Sequence, residues 1–319
     1  MWISMFSFVS ADEKIVDPQI VEELHQRAVP EWQRIELEFR SVDVTFQEVY
    51  ESGLVDKLTT DAPVTFRLAY DADRKLTLLR SQSGESPGQM NHDIANSRYE
   101  FEVFTPVMTE RGKLMKVHAG ENRNDEDRLD GLPTFRGKRF DLLAACRLFG
   151  LPLANLLNPN EFETIEANES TDQGQRRIRH SVKYLGEEGP SRREGGIYVL
   201  IYDAINRYRL LECHITSPGE SSESLVISYH DLPDVIVPRE IVYNLVVGKE
   251  AIRETQTFDM AKPCRIADAE FYLPHYGISE SVLETLHPNP WPRWLLIGFG
   301  IITIAIGAWL VRGRRQPAA

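Results

Sequence analysis

The chain has only three cysteines, Cys146, Cys213 and Cys264, with no CxxC spacing, and an odd number allows at most one intramolecular disulfide. In an oxidising compartment Cys213 with Cys264 is the first pair to test, since both lie in the C-terminal β-rich half, but buried free thiols are the favoured reading. Positive charge is also scarce. The 36 Lys and Arg face 48 Asp and Glu, and a net charge of -12 repels phosphate backbones, so nucleic acid is excluded as a partner. Arg176, Arg177 and Arg179 read as a solvated strand face rather than a docking patch.

Catalytic signatures are missing as well. There is no GxSxG elbow, P-loop or dinucleotide fingerprint. The eight histidines form no HExxH or other metal spacing, and Cys213 and His214 point to opposite faces of a strand. No catalytic residue, cofactor or metal ligand is therefore expected. Carboxylates such as Glu187-Glu188 and Asp125-Glu126-Asp127 lie in charged loops, while a hydrolase whose carboxylates meet only through the fold stays open. Asn168-Glu-Ser170 matches a glycosylation sequon, relevant only in a eukaryotic secretory setting.

Residues 294–311 form a charge-free stretch of 18 residues, about 27 Å long as a helix and enough to span hydrocarbon. Trp291, Trp294 and Trp309 stand near its ends, and Arg312, Arg314 and Arg315 follow, so the tail 312–319 is expected to stay in the cytoplasm. That orientation places the body outside the cytoplasm and asks for an export signal. Residues 1–11 supply a short apolar run ending in Val9-Ser10-Ala11 with no Lys or Arg before it, and a basic n-region is expected upstream. A tail-anchored cytoplasmic body would put the three arginines on the far side, against the positive-inside tendency. Residues 286–293, Pro-rich and stiff, separate the span from a body at 12–285.

Within the body, Asp17-Pro18 followed by Ile20, Val21, Leu24 and Ala28 predicts a helix limited by Pro30. Ile35, Leu37 and Phe39 alternate with charged residues, and Val42, Val44 and Phe46 continue the alternation; both read as strand. Val64–Tyr70, the turn Asp71–Arg74 and Lys75–Arg80 predict a hairpin, and Tyr99–Val103 alternates again. Residues 81–96 and 121–137 read as loops, and 140–157 as a helix broken near Gly150-Leu-Pro152. Six strands are expected after them, at 178–184, 196–202, 208–215, 225–229, 238–247 and 251–258. The fold class is mainly β with helices (α+β): a curved antiparallel sheet with one covered face.

The order of elements, with Arg34–Gln47, the hairpin Val64–Arg80, Asn96–Phe101, Val235–Ile241 and the phrase Ile266–Pro274, resembles the LolA-like lipoprotein-carrier superfamily. It is nearest its divergent secreted members, whose last strand ends in a comparable acidic-Phe-x-Leu-Pro phrase. The resemblance implies a half-open β-barrel with helices plugging a concave apolar cavity that takes acyl chains or a partner. The Asp-Gly-Lys turn of the soluble carriers is missing, which points to an anchored module rather than a shuttle. Leu37, Phe39, Phe66 and Leu68 are the candidate cavity residues, although ordinary core is the favoured reading of them. The partners implied are the membrane and a lipid, lipoprotein or envelope protein. A membrane-tethered hydrolase and a pocketless scaffold or sensor remain alternative functions.

Overall fold

The computed structural model describes residues 16–106, 112–119, 141–149, 151–172, 174–186, 195–217, 221–230 and 237–286. It begins with a helical segment that runs further than Pro30 was expected to allow. Asp17 caps α1 (Pro18–Glu23) by accepting the Gln19 N–H at 2.8 Å. A five-residue π-turn, Leu24–Ala28, then leads into α2 (Val29–Glu38). Proline lacks an N–H and crowds the carbonyl four residues back, and widening the turn just before Pro30 relieves both conflicts. The buried positions Ile20, Leu24, Ala28, Trp32, Ile35 and Phe39 fall three or four apart, the helical period. The strand expected over Ile35–Phe39 is thus corrected. Ile35 and Phe39 satisfy both periods, but Leu37 between them is 61% exposed.

The strands are β1 (Ser41–Leu54), β2 (Lys57–Thr60), β3 (Val64–Asp71), β4 (Leu76–Ser83), β5 (Gln89–Ala95), β6 (Tyr99–Pro106), β7 (Lys113–Ala119), β8 (Arg147–Leu148), β9 (Leu151–Pro152), β10 (Phe162–Asp172), β11 (Gln175–Tyr184), β12 (Ile197–Asp203), β13 (Arg209–Thr216), β14 (Ser221–Tyr229), β15 (Pro238–Val247) and β16 (Glu250–Phe258). Fourteen of them form one sheet in the order β10-β11-β12-β13-β14-β15-β16-β1-β3-β4-β5-β6-β7, with β2 also paired to β1. The pairings within it are antiparallel, and β1 against β16 joins its two wings. The predicted hairpin is β3–β4, and the six later strands are β11 to β16.

Two expectations are corrected here. The segment 81–96 is not all loop, because β5 pairs with both β4 and β6. The helix expected over 140–157 is instead two 3-10 turns, Asp141–Leu143 and Leu153–Leu157, flanking the small β8–β9 pair. Phe149 takes a positive φ of 50° and Pro152 offers no N–H, both incompatible with continuous helix.

One core lies between inward side chains from ten strands, β10 through β16 and then β1, β3 and β4, and a cover made of the helical segment and the two 3-10 turns with the β8–β9 pair between them. A second core lies on the opposite face. Across β3 to β7 the register row Ala69, Leu78, Ile94, Phe101 and Val117 packs against Ile266, Phe271, Leu273 and Tyr276. The neighbouring row, Leu68, Leu79, Asp93, Glu102 and Lys116, turns polar at β5. The expectation of one covered face therefore needs correction at β3 and β4, which are covered on both.

The Ile266–Pro274 phrase forms no strand. It is a strap of two 3-10 turns, Asp268–Phe271 and Leu273–Tyr276, ending at Gly277 with φ 72° and followed by α3 (Ser281–Leu286). Among the described residues no helix is long and apolar enough to cross a membrane. Residues 1–11, the segment 294–311 with Trp294 and Trp309, and the tail with Arg312, Arg314 and Arg315 lie outside the described residues.

Candidate functional site

The helix-covered face holds the larger of the two apolar cores among the described residues, and the cover's polar attachments sit at its rim. Glu23 takes both Arg176 guanidinium nitrogens, at 2.5 and 2.7 Å, and the Tyr208 hydroxyl at 2.5 Å. The Arg176 hydrogen bonds hold the Glu23 carboxyl down to about 2, against the opposing effect of burial. Further along, Arg207 pairs with Glu31 at 3.1 Å and with Glu38 at 2.7 Å, and Arg147 with Glu36. Beneath this rim Trp32 reaches inward, its indole N–H donating to the Tyr208 carbonyl at 2.8 Å and its ring 5.4 Å from Tyr202. The basic stretch read as a solvated strand face is ion-paired throughout, with Arg177 on Asp172 and Arg179 on Glu166 completing the set.

Several polar side chains stand inside this apolar interior. Tyr229 donates its hydroxyl to the Leu210 carbonyl at 2.7 Å while Arg209 lies over its ring at 4.2 Å. His180, fully buried, has Thr164 Oγ1 at 3.3 Å from Nε2, and burial holds its ring down to about 4, so it is neutral at pH 7. Burial pushes the Tyr202 hydroxyl and the Cys146 and Cys213 thiols upward, leaving the thiols protonated and unreactive.

A denser polar cluster lies on the opposite face, under the strap. Arg67 clasps Asp43 through two bonds of 2.9 and 2.8 Å, and Arg80 pairs with Glu270 of the strap at 2.5 Å. His92, opposite Arg80 in the register, has Nε2 2.7 Å from Thr105 Oγ1 and its ring 5.1 Å from Tyr276. Burial, aided by Arg80 and His275, holds His92 down to about 4. Asn96 donates to the Phe271 carbonyl at 2.7 Å, and Tyr99 donates to Glu280 at 2.9 Å. The strap is thus pinned by polar side chains as well as apolar ones. His92 and Thr105 form the nearest approach to a base–nucleophile pair here. Thr105 is buried, however, and among the described residues no group accepts from or donates to His92 Nδ1, so no third group orients the base.

Of the sequence-derived residues, Phe39, Phe66 and Leu68 meet in the helix-covered core, where Phe66 stacks on Phe46 at 5.0 Å. Leu37 is corrected: it lies on the solvent side of α2. Cys213 and Cys264 form no bridge, and both thiols are free. Cys213 belongs to the helix-covered core and Cys264 packs against the strap's core on the other face. Composition and spacing gave no sign of the Glu23, Arg176 and Tyr208 cluster or of the pairing of Arg80 with Glu270, because Glu23 lies 153 residues from Arg176 and 185 from Tyr208, and Arg80 lies 190 from Glu270. Among the described residues no group of three or more His, Cys, Asp or Glu is placed to hold a metal.

No family model matches this chain, and no curated protein matches it. Solved structures similar to it include a LolA superfamily protein from Nitrosomonas europaea, 9% identical, covering 77% of this chain and 97% of that one with a TM-score of 0.38. A putative outer membrane lipoprotein-sorting protein domain from Vibrio parahaemolyticus is 9% identical over 79% of this chain and 97% of its own, with a TM-score of 0.39. A DUF1329 family protein from Desulfovibrio piger is 11% identical over 77% and 95%, with a TM-score of 0.38. Likeness at this level assigns neither family nor activity, and the function has to be argued from the chain's own residues.

Proposed function

We propose that this chain is a membrane-anchored, extracytoplasmic binding module that holds an apolar ligand, of the lipid or lipoprotein acyl-chain class, against the helix-covered face of its sheet. The observation that supports this reading is the construction of the cover. The helical segment, together with the 3-10 turns Asp141–Leu143 and Leu153–Leu157 and the β8–β9 pair, lies over apolar side chains from ten strands, and the segment's charged ties are at the rim. The segment runs straight into β1 at its C-terminal end, which makes that end the hinge. Its N-terminal end is tied to the edge strand β10 through the Val16–Ala167 bridge and the Asp17 N–H on the Ala167 carbonyl at 2.9 Å. Swinging the cover out exposes a concave apolar surface, and each ligand methylene buried there contributes about 0.8 kcal/mol. The π-turn in the cover suits it to such movement, since local departures of this kind concentrate where helices function.

Stapling the cover tests this. Cysteines at Val16 and Ala167, bridge partners within disulfide reach, should abolish binding of the fluorescent acyl probe cis-parinaric acid to the full chain, and reductant should restore it. Undiminished binding by the stapled protein would sink the helix-cover reading. The anchor is the segment 294–311, with the arginines after it inside the cell. A tag after Asp12 should be digested by protease added to spheroplasts; protection until lysis would refute export.

A further inference from the structure

Two polar groups in the helix-covered core have no role in holding the fold. Tyr202 is fully buried, and its hydroxyl has no hydrogen-bond partner among the described residues. The same is true of Nδ1 of His180, also fully buried. The two rings are neighbours, with centroids 6.5 Å apart, on the adjacent strands β11 and β12. The aromatic polar groups Trp32, Tyr208 and Tyr229 on this face are satisfied, by the Tyr208 carbonyl, Glu23 and the Leu210 carbonyl respectively. An unpaired buried donor weakens a fold, and a phenylalanine or leucine would avoid the loss. Two such groups side by side, on adjacent strands under the cover, point to a partner that comes from outside the chain.

We propose that the Tyr202 hydroxyl and His180 Nδ1 are the polar end of the apolar site, both donating to the carbonyl oxygen of an acyl ester or amide whose chain lies along the strands. This deepens the binding function above and rests on it. The chemistry of the pair sets the ligand class. Tyr202 donates through its only hydrogen, and the His180 tautomer that accepts from Thr164 at Nε2 carries its proton on Nδ1, which makes it the second donor. Among the described residues the ionisable neighbours acting on these two groups are His25 and Cys213, with no Lys or Arg among them. A buried carboxylate would have no cation to offset its lost hydration, whereas a neutral carbonyl needs only the two donors.

The test uses the full chain in lipid nanodiscs and N-methyldodecanamide labelled with carbon-13 at the carbonyl. For the wild type, the protein-bound carbonyl resonance should lie downfield of the same compound in cyclohexane. Tyr202→Phe should move it most of the way back and weaken binding about fivefold, the worth of one hydrogen bond between neutral groups. That variant should melt no lower than the wild type. Tyr229→Phe is the control: its hydroxyl is already bonded to Leu210, so it should melt lower and leave the bound resonance in place. An unchanged resonance in Tyr202→Phe would overturn the polar-end assignment and leave apolar binding standing. A melting point several degrees lower in that variant would also overturn it, because the hydroxyl would then have a partner within the free protein. If the wild type gives no bound resonance, the binding function fails and this assignment fails with it.

Discussion

The two wings of the sheet are continuous in hydrogen bonding yet buried in opposite senses. From β10 to β16 the apolar side faces the N-terminal helix, and the outer side is wet, with Glu166 accepting from Arg179, Ser181 and Asn168. From β5 to β7 the apolar side faces the other way, onto the strap, and the helix-facing row carries Asp93, Glu102 and Lys116. The handover happens at β3 and β4, where Leu68 and Leu79 serve one core and Ala69 and Leu78 the other. A single ladder can serve two cores because neighbouring residues on a strand point to opposite faces; switching the buried face takes only a shift in which rows are apolar.

If the wings are separate packing units, truncating one core should loosen one wing. Trp32→Ala under the helix and Phe271→Ala in the strap should each cost about 3–5 kcal/mol, read from urea midpoints. Hydrogen exchange should quicken in β11–β13 for the first and in β5–β6 for the second. Equal loss of protection across both wings would merge the two cores into one.

Acid should strike both wings together. His180 in one core and His92 in the other sit near 4 when folded, below the ordinary value of about 6.5. Between those values the unfolded chain binds more protons, so stability is full above about pH 6.5 and falls as pH drops towards 4, by roughly 3 kcal/mol or less per histidine. His92→Gln should remove the part of this slope that arises under the strap and leave the part from His180. An unchanged slope would mean that His92 is already protonated in the fold.

A smaller effect is expected at Gly112, whose added Cβ would fall 2.0 Å from Val103 Cγ1 in the strap's core. Val103 is fully buried and cannot yield freely, so Gly112→Ala should cost about 1–3 kcal/mol in thermal unfolding. The smallest effect belongs to Leu37→Ser, which should change stability by less than about 0.5 kcal/mol because the residue lies on the solvent side of α2. A loss of 2 kcal/mol or more, on the scale of about 1.5–3 for a buried leucine, would return Leu37 to the core where the alternation had placed it.

Much of the strand content was legible in the residues. The β3–β4 hairpin and β11 to β16 announce themselves by alternation, since a strand with one wet face must repeat every two residues. β5 and β10 escaped notice because their apolar positions are few and interspersed with Asn, Asp, Glu and Thr: β5 is polar towards the helix, and β10 is an edge strand whose second half is exposed. The Phe39, Phe66 and Leu68 side of the candidate site was also legible as apolar strand or helix faces. Leu37 was misplaced because Ile35 and Phe39, four residues apart, fit a strand and a helix equally well.

The sequence by itself determined the β-rich class, the local pairing of consecutive strands and the acidic surface, because each depends on neighbours in the chain. Only the tertiary structure decided which face of each strand is buried, that Cys213 and Cys264 belong to different cores, and that Glu23 meets Arg176 and Arg80 meets Glu270. The physical reason is that alternation fixes two faces without saying which is inner. That choice falls to the segments that cover the sheet, the helix before it, the 3-10 turns Asp141–Leu143 and Leu153–Leu157 within it and the strap after it, and the helix and the strap are remote in sequence from most of the strands they bury.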